Sequence, residues 1–372
     1  MKKTLLLALL VGFAIFSKAQ LNYINYHNEL NQAKLLIAKA NYVDALAIHL
    51  DVFKKYPKHF YRDVHNACVC AIRCEKFSNV NLLASELVLL GYKLEDFEQS
   101  AFDAFRNSDQ WNSFCKTYPK LRKEYKAGFN DYLSKKYYCM FREDQKIALS
   151  SPKGNPISDQ ARWELSALLK LDYQSNGIPQ FMHYKDPLFL QYYIMYRHYF
   201  GRINYLKNHP EIEGGKEILE KYRKIDFNKI LISEIKKGNI SPKTLVDAAT
   251  YNANPYGKES LLNIDFENEK IYLSLNENFE ERDQIEKNRL AIGMLTLEEE
   301  FGLEICGTWY SEYPFPQIKE RIMSLDTNDK KLVFKIIGEE EAKTRKKYSN
   351  KLKKIFFLNA YENDKEINYL GL

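Results

Sequence analysis

Two polar residues inside otherwise apolar segments have the side chains that acid–base chemistry requires. Asp144 stands near the end of a predicted helix, where the helix dipole disfavours a carboxylate unless another group holds it. His198 lies in a segment rich in tyrosine and phenylalanine, and an imidazole with a carboxylate neighbour can act as a general base or acid. Together they predict a hydrolase-like site in which Asp144 orients His198.

Other polar residues could hold a substrate or ligand at such a site. Gln145 and Arg197 directly adjoin the two residues above, and Asp247, Tyr256 and Gly257 follow later in the chain. The competing interpretation is a buried network of hydrogen bonds and ion pairs that joins helices. The aromatic residues at 189, 192, 193, 196 and 200 have helical spacing and are expected in the core, with stacking against a sugar ring or peptide as the alternative.

The common catalytic and cofactor motifs are missing from the sequence. It contains no GxSxG elbow, HExxH, Walker A loop, GxGxxG or EF-hand loop, so standard hydrolase, metalloprotease and nucleotide-binding assignments have no support. The six cysteines form no CxxC pair of the kind that zinc sites use. We expect no metal and no cofactor, and we expect cysteines such as Cys68 to be small buried residues.

The first residues have the pattern of a secretory signal peptide. Met1-Lys2-Lys3 is basic, an apolar run extends from Leu5 to Phe16, and Ser17-Lys18-Ala19 has small residues before a cleavage point. The chain is expected to be exported to the periplasm or outside the cell after cleavage behind Ala19. An uncleaved anchor is the alternative, although the run is shorter than the roughly 20 residues of a membrane span.

The charge of the mature chain argues against broad classes of partner. Cleavage removes Lys2, Lys3 and Lys18 and lowers the formal net charge from +6 to +3. A chain this close to neutrality has no compositional case for binding nucleic acid. No later stretch has 18 consecutive apolar residues, so no membrane span is expected.

Residues 20–118 are predicted to be a domain of helical repeats, with a helical period from Leu21 to about Arg106 and an internal repeat. The segment that starts Asn41-Tyr42-Val43-Asp44-Ala45 recurs 35 residues later as Lys76-Phe77-Ser78-Asn79-Val80. Small residues such as Ala33 and Cys68 occupy equivalent positions, where close helix approach leaves little room. This part resembles the tetratricopeptide repeat family, whose helix–turn–helix unit has about 34 residues. The second copy has Tyr92 in place of the closing proline, and Pro119 is expected to interrupt the helix that follows.

The remainder is predicted to be a second helical domain over 119–300 and a helical extension over 301–372. Gly238 is expected to end a helix, and Ser241-Pro242 to begin the next. Alternating apolar residues over 261–275 predict one small β-hairpin. The last helix carries seven basic residues that could bind a polyanion, but Glu339 and Glu341 precede them at the spacing of a solvated helix.

The order of several short motifs resembles an uncharacterised bacterial domain family of unknown function. The motifs are Asp144-Gln145, Arg197-His198, Asp247, Tyr256-Gly257 and the segment Arg289 to Met294, over about 140–300. The resemblance implies shared polar positions at Asp144, Gln145, His198, Asp247, Tyr256 and Gly257. This sequence departs from the family at Lys258-Glu259, where Thr-Gln is usual.

The sequence therefore predicts a mostly α fold, with degenerate tetratricopeptide-like hairpins followed by an α-helical domain that has a small β-hairpin. The leading functional hypothesis is an exported helical-repeat protein that binds a protein or small-molecule partner in the cell envelope. The alternative is a hydrolase-like enzyme that uses His198 and Asp144.

Overall fold

Helices make up most of the structure. The computed structural model describes residues 21–128, 131–150, 156–176, 187–249, 255–256, 261–265, 270–274, 279–297, 299–300 and 303. The predicted signal peptide, Gly257 and the predicted final helix lie outside these residues. The predicted mostly α fold is confirmed for the described residues.

The first four helices form two consecutive hairpins: α1 (Tyr23–Ala38), α2 (Tyr42–Lys55), α3 (Tyr61–Arg73) and α4 (Phe77–Leu89). Each helix packs against the next one in the chain. Asn22 and Asn41 cap α1 and α2, because their side-chain oxygens accept the amide hydrogens of Ile24 and Asp44.

The loops inside the two hairpins have the same backbone geometry. Ala40 and Glu75 adopt positive φ angles of 56° and 55°. The amide of Asn41 donates to the carbonyl of Leu36, and the amide of Lys76 donates to that of Ala71. These equivalent positions are 35 residues apart in the sequence.

Small residues allow these helices to approach closely. Ala33, Ala45, Cys68, Ala71 and Ala84 are all completely buried in one hydrophobic cluster. Burial raises the pKa of the Cys68 thiol, which keeps it protonated. Cys68 is therefore a small core residue, as expected from the sequence.

The chain then continues through short turns into a long helix. Two 3₁₀ helices (Leu94–Glu98 and Ser100–Phe102) lead to α5 (Asp103–Arg106) and α6 (Asp109–Gly128). Pro119 lies inside α6, so the expected interruption at this residue is wrong. The predicted domain boundary between 118 and 119 falls within this helix.

Six further helices follow: α7 (Asp131–Ser150), α8 (Pro156–Asn176), α9 (Pro187–Asn208), α10 (Gly215–Arg223), α11 (Phe227–Lys236) and α12 (Pro242–Ala248). Helix α9 is central, because it packs against α7, α8, α10 and α12. Gly238 follows α11 with a φ of 70°, and Ser241 and Pro242 begin α12. The predicted helix end and start are confirmed.

The last described elements are two strands and a helix: β1 (Leu261–Asp265), β2 (Lys270–Ser274) and α13 (Phe279–Ala291). The strands pair antiparallel with Leu261 opposite Ser274 and Asp265 opposite Lys270. Residues 266–269 lie outside the described part of the chain, so the expected hairpin stays a prediction.

The first helix also contacts the later helices. The ring of Tyr23 lies against Gly238, and the side-chain amide of Asn31 donates to the carbonyl of Gly293 at 3.0 Å. The Lys58 ammonium donates to Asn239 Oδ1 at 2.7 Å. Ile24 belongs to the hydrophobic cluster that α9 organises, so the repeat-like helices and the later helices share buried contacts.

Candidate functional site

The structure brings Asp144 and His198 into direct contact. Asp144 is on α7 and His198 on α9, and these helices pack together. His198 Nδ1 lies 2.6 Å from Asp144 Oδ2. The predicted pairing of these two residues across 54 positions in the sequence is thus present in the structure.

The two side chains differ in their exposure to solvent. The imidazole of His198 is 30% exposed, whereas the carboxylate of Asp144 is 5% exposed. An acid–base residue must reach its substrate, and a residue that orients it need not. His198 is therefore within reach of solvent, whereas Asp144 lies in the interior; their catalytic roles stay a prediction.

Their hydrogen bonding fixes the imidazole. An ionised carboxylate can accept hydrogen bonds but cannot donate them, so pairing with an ionised Asp144 requires the shared proton to be on Nδ1. The lone pair of the neutral ring is then on Nε2. Gln145 Nε2 also donates to Asp144 Oδ2, at 3.0 Å, and so Asp144 receives two donors at one oxygen.

Aromatic residues on α7, α9 and α10 pack together in one hydrophobic cluster. Tyr137, Tyr196 and Tyr222 are fully buried, and Tyr199 donates its hydroxyl hydrogen to the carbonyl of Tyr222 at 2.9 Å. Tyr196, Tyr199 and Phe200 pack in the hydrophobic cluster of this region. For these three aromatic residues, the core position expected from helical spacing is confirmed.

The other predicted ligand-binding residues lie elsewhere or have other partners. Asp247 pairs with Lys243 at 3.2 Å within α12, and Tyr256 donates to Asn228 Oδ1 at 3.0 Å. Burial raises the pKa of Tyr256, and its bond to Asn228 lowers it. Arg197 is partly buried next to His198, while Gly257 lies outside the described residues.

Sequence reasoning did not single out two arginines on the helices α8 and α9. Arg202 is 6% exposed on α9, and Arg162 is partly buried on α8. The spacing of Arg202, four residues after His198, could have revealed that both lie on one helix face. Arg162 has no such local signal, because its position depends on how α8 packs.

Two further observations concern metals and membranes. Within the described ranges, no three His, Cys, Asp or Glu side chains are grouped so that they could hold a metal ion. None of the described helices combines the length and apolar character that crossing a membrane needs.

Comparison with known proteins gives no match: no family model, no curated protein and no solved structure is significantly similar to this chain.

Proposed function

We propose that this chain is an exported helical protein that binds a ligand beside His198 and acts on it by general acid–base catalysis, as a hydrolase does. One observation carries the proposal: a partly exposed imidazole is held at 2.6 Å by a buried carboxylate. The proposed export rests on the signal-like residues 1–19.

The chemistry follows from the tautomer of His198. Nε2 would take a proton from a water molecule while the water oxygen bonds to the electrophilic carbon of the substrate. The resulting imidazolium would be stabilised by Asp144 and would return the proton to the leaving group. The electrons of the broken bond leave with that group, so the step needs no oxidant or metal.

The repeat-like helices act as a support in this proposal. Their two loops share one backbone geometry at a separation of 35 residues, which favours tetratricopeptide-like hairpins. The contacts of Tyr23, Asn31 and Lys58 with the later helices favour a supporting role over capture of an extended partner. The β1 and β2 pairing favours a small hairpin as an accessory element.

A second candidate is binding of a ligand or protein partner without catalysis. It is favoured by Gln145, whose side-chain amide lies against Asp144 and can hold a ligand without activating water.

Hydrolysis of p-nitrophenyl acetate by the full chain distinguishes these functions. We expect His198→Gln to remove the activity and Asp144→Asn to lower it by about 10²-fold or more, because the imidazole loses its orientation. The matched control is His209→Gln, which replaces the exposed histidine that follows α9. Equal rates for wild type and His198→Gln would contradict catalysis and leave binding.

Nitrogen NMR of the imidazole tests the geometry independently of any substrate. We expect His198 to be the Nδ1–H tautomer in the wild type and to lose this preference in Asp144→Asn. An Nε2–H tautomer in the wild type would mean that Asp144 does not orient the ring.

A further inference from the structure

A turn that follows α13 lies directly against one face of α1. The side-chain amide of Asn31 donates to the carbonyl of Gly293 at 3.0 Å in a buried hydrogen bond. A Cβ atom added at Gly293 would lie 3.0 Å from the Cβ atom of His27 and 3.1 Å from the carbonyl oxygen of Ile24. Ile24, His27 and Asn31 follow each other at intervals of three and four residues, so they share one helix face. We call this set of residues, together with Gly293, the α1–turn contact.

The turn presents bare backbone to the helix. Gly293 has a φ of 86°, and any side chain at this position would enter the space that α1 occupies. The amide of Gly293 donates to the carbonyl of Leu290 at 3.2 Å, and the amide of Met294 donates to that of Arg289 at 3.0 Å. Both amides are therefore held inside the turn while it stays closed.

The histidine of the α1–turn contact is buried with an unsatisfied nitrogen. His27 is 5% exposed, and among the described residues its Nε2 has no hydrogen-bond partner. Its ring packs against the rings of Tyr26 and Phe60, at centroid distances of 5.2 and 5.3 Å. A neutral imidazole has one N–H donor, whereas an imidazolium has two and also carries a charge. A protonated His27 would therefore need water or acceptors that this apolar packing does not supply.

The charged groups around His27 oppose a second positive charge or are already paired. Burial and the charge of Lys34 on the same helix both lower the pKa of His27. Asp63 on α3 accepts a hydrogen bond from a tyrosine hydroxyl at 3.0 Å. Beside the turn, Arg289 is paired with Glu300. Protonation of His27 is thus disfavoured for as long as the turn stays on α1.

We propose that the α1–turn contact is a pH-sensitive switch, in which protonation of His27 at acidic pH releases the turn after α13 from the first helix. In the closed form the ring is neutral and Asn31 binds the Gly293 carbonyl. In the open form water reaches both ring nitrogens, and the face of α1 that carries Ile24 becomes accessible. The switch goes beyond the function proposed for His198 and does not depend on it.

The size of the effect follows from the difference in proton affinity between the two forms. In the open form His27 has the ordinary histidine pKa of about 6.5, and in the closed form its pKa is lower. The closed form is therefore fully favoured above about pH 6.5. Below that value the ratio of open to closed molecules rises about tenfold for each pH unit, until the pH reaches the pKa of the closed form.

Hydrogen exchange of the full chain, measured from pH 7 to pH 5 and corrected for the intrinsic rate at each pH, tests the switch at the amides of Gly293 and Met294. We expect their protection to fall at least about tenfold over this range in the wild type and to stay level in His27→Gln, which cannot be protonated. The matched control is His65→Gln, because His65 is 1% exposed, also has an unpartnered Nε2 and is bonded to Tyr92 instead. It should keep the wild-type pH dependence at the turn.

Asn31→Ala separates the hydrogen bond that holds the turn from the group that binds the proton. We expect lower protection at every pH with the same dependence on pH, because His27 is retained. Equal protection of the wild type at pH 7 and pH 5, or the same fall in His27→Gln, would overturn the proposal. NMR titration of His27 in the wild type needs no variant. An ordinary pKa of about 6.5 without loss of protection at the turn would also overturn it.

Discussion

Gly238 and Gly214 have nearly the same backbone angle in very different surroundings. Their φ values are 70° and 69°. A Cβ atom added at Gly238 would lie 2.5 Å from a ring atom of Tyr23, whereas one at Gly214 would have no described atom within 4 Å. A comparison of substitutions at these two glycines therefore separates the free-energy cost of a left-handed backbone from the cost of a steric clash.

We expect Gly238→Ala to destabilise the protein more than Gly214→Ala does. Both substitutions incur about 1–2 kcal/mol for the positive φ, and Gly238→Ala adds about 1–3 kcal/mol of overpacking against Tyr23. Urea denaturation monitored by circular dichroism measures both. Equal losses of unfolding free energy would mean that the Tyr23 ring moves away without cost.

At the residue scale, the sequence indicates Asp144 and His198 as candidate site residues, but it does not indicate Arg162 and Arg202. Asp144 and His198 were predictable because each is a polar residue in an apolar segment, and such residues need partners when buried. The electrostatic effect of Arg202 and Arg162 on Tyr222 depends on how α8, α9 and α10 pack together. That packing depends on contacts between distant segments, which periodicity within one helix does not determine.

At the element scale, the loop between the two hairpins is held by a histidine. His59 Nδ1 lies 2.5 Å from Glu86 Oε1 on α4, and Nε2 lies 2.7 Å from the carbonyl oxygen of Tyr56. Burial alone would lower the pKa of His59, but the hydrogen bond and charge of Glu86 and the carbonyls of Tyr56 and Phe53 raise it above its ordinary value. The imidazole thus links α4 to the loop between α2 and α3, and its protonated form is favoured there.

This contact gives the hairpins a pH-dependent stability. A histidine whose folded pKa is raised stabilises the protein fully below its unfolded pKa of about 6.5, and this contribution is lost as the pH rises through the folded pKa. We expect Glu86→Gln to flatten the decline in unfolding free energy over that range, as measured by urea denaturation at successive pH values. An unchanged pH profile in Glu86→Gln would show that the ion pair does not form in solution.

The ends of helices were easier to predict from the sequence than whether a helix continues through a proline. Gly238 and Ser241-Pro242 mark a helix end and start through local backbone chemistry, and the structure has both. Pro119 has the same kind of local signal, yet α6 continues through it. Phe114, five residues before this proline, is fully buried, and tertiary packing of α6 can outweigh the local cost of a proline.

At the scale of the whole molecule, a buried glutamate connects the later helices to the repeat-like ones. Glu234 on α11 is 1% exposed. It accepts hydrogen bonds from Lys237 at 2.5 Å, Asn239 at 2.6 Å and Tyr173 at 3.1 Å. Asn239 in turn accepts from Lys58, so one carboxylate organises the contact between α8, α11 and the loop after α2.

We expect Glu234→Gln to lower the unfolding free energy by about 1–3 kcal/mol, because the buried donors lose a charged acceptor. The control is Glu217→Gln, which removes an exposed carboxylate 3.7 Å from Lys221 and should have no measurable effect. Thermal unfolding followed by circular dichroism compares the two. A Glu234→Gln protein as stable as the control would show that water replaces the lost acceptor.

The hydrogen bond from Asn31 to the carbonyl of Gly293 joins residues 262 positions apart. During synthesis, the amide of Asn31 emerges long before its acceptor, and contacts of such high sequence separation form late in folding. A nascent chain would therefore leave one side of its first helix uncovered until the turn at residue 293 has been made. In a chain that we propose to be exported, this contact would close only after most of the chain has been made.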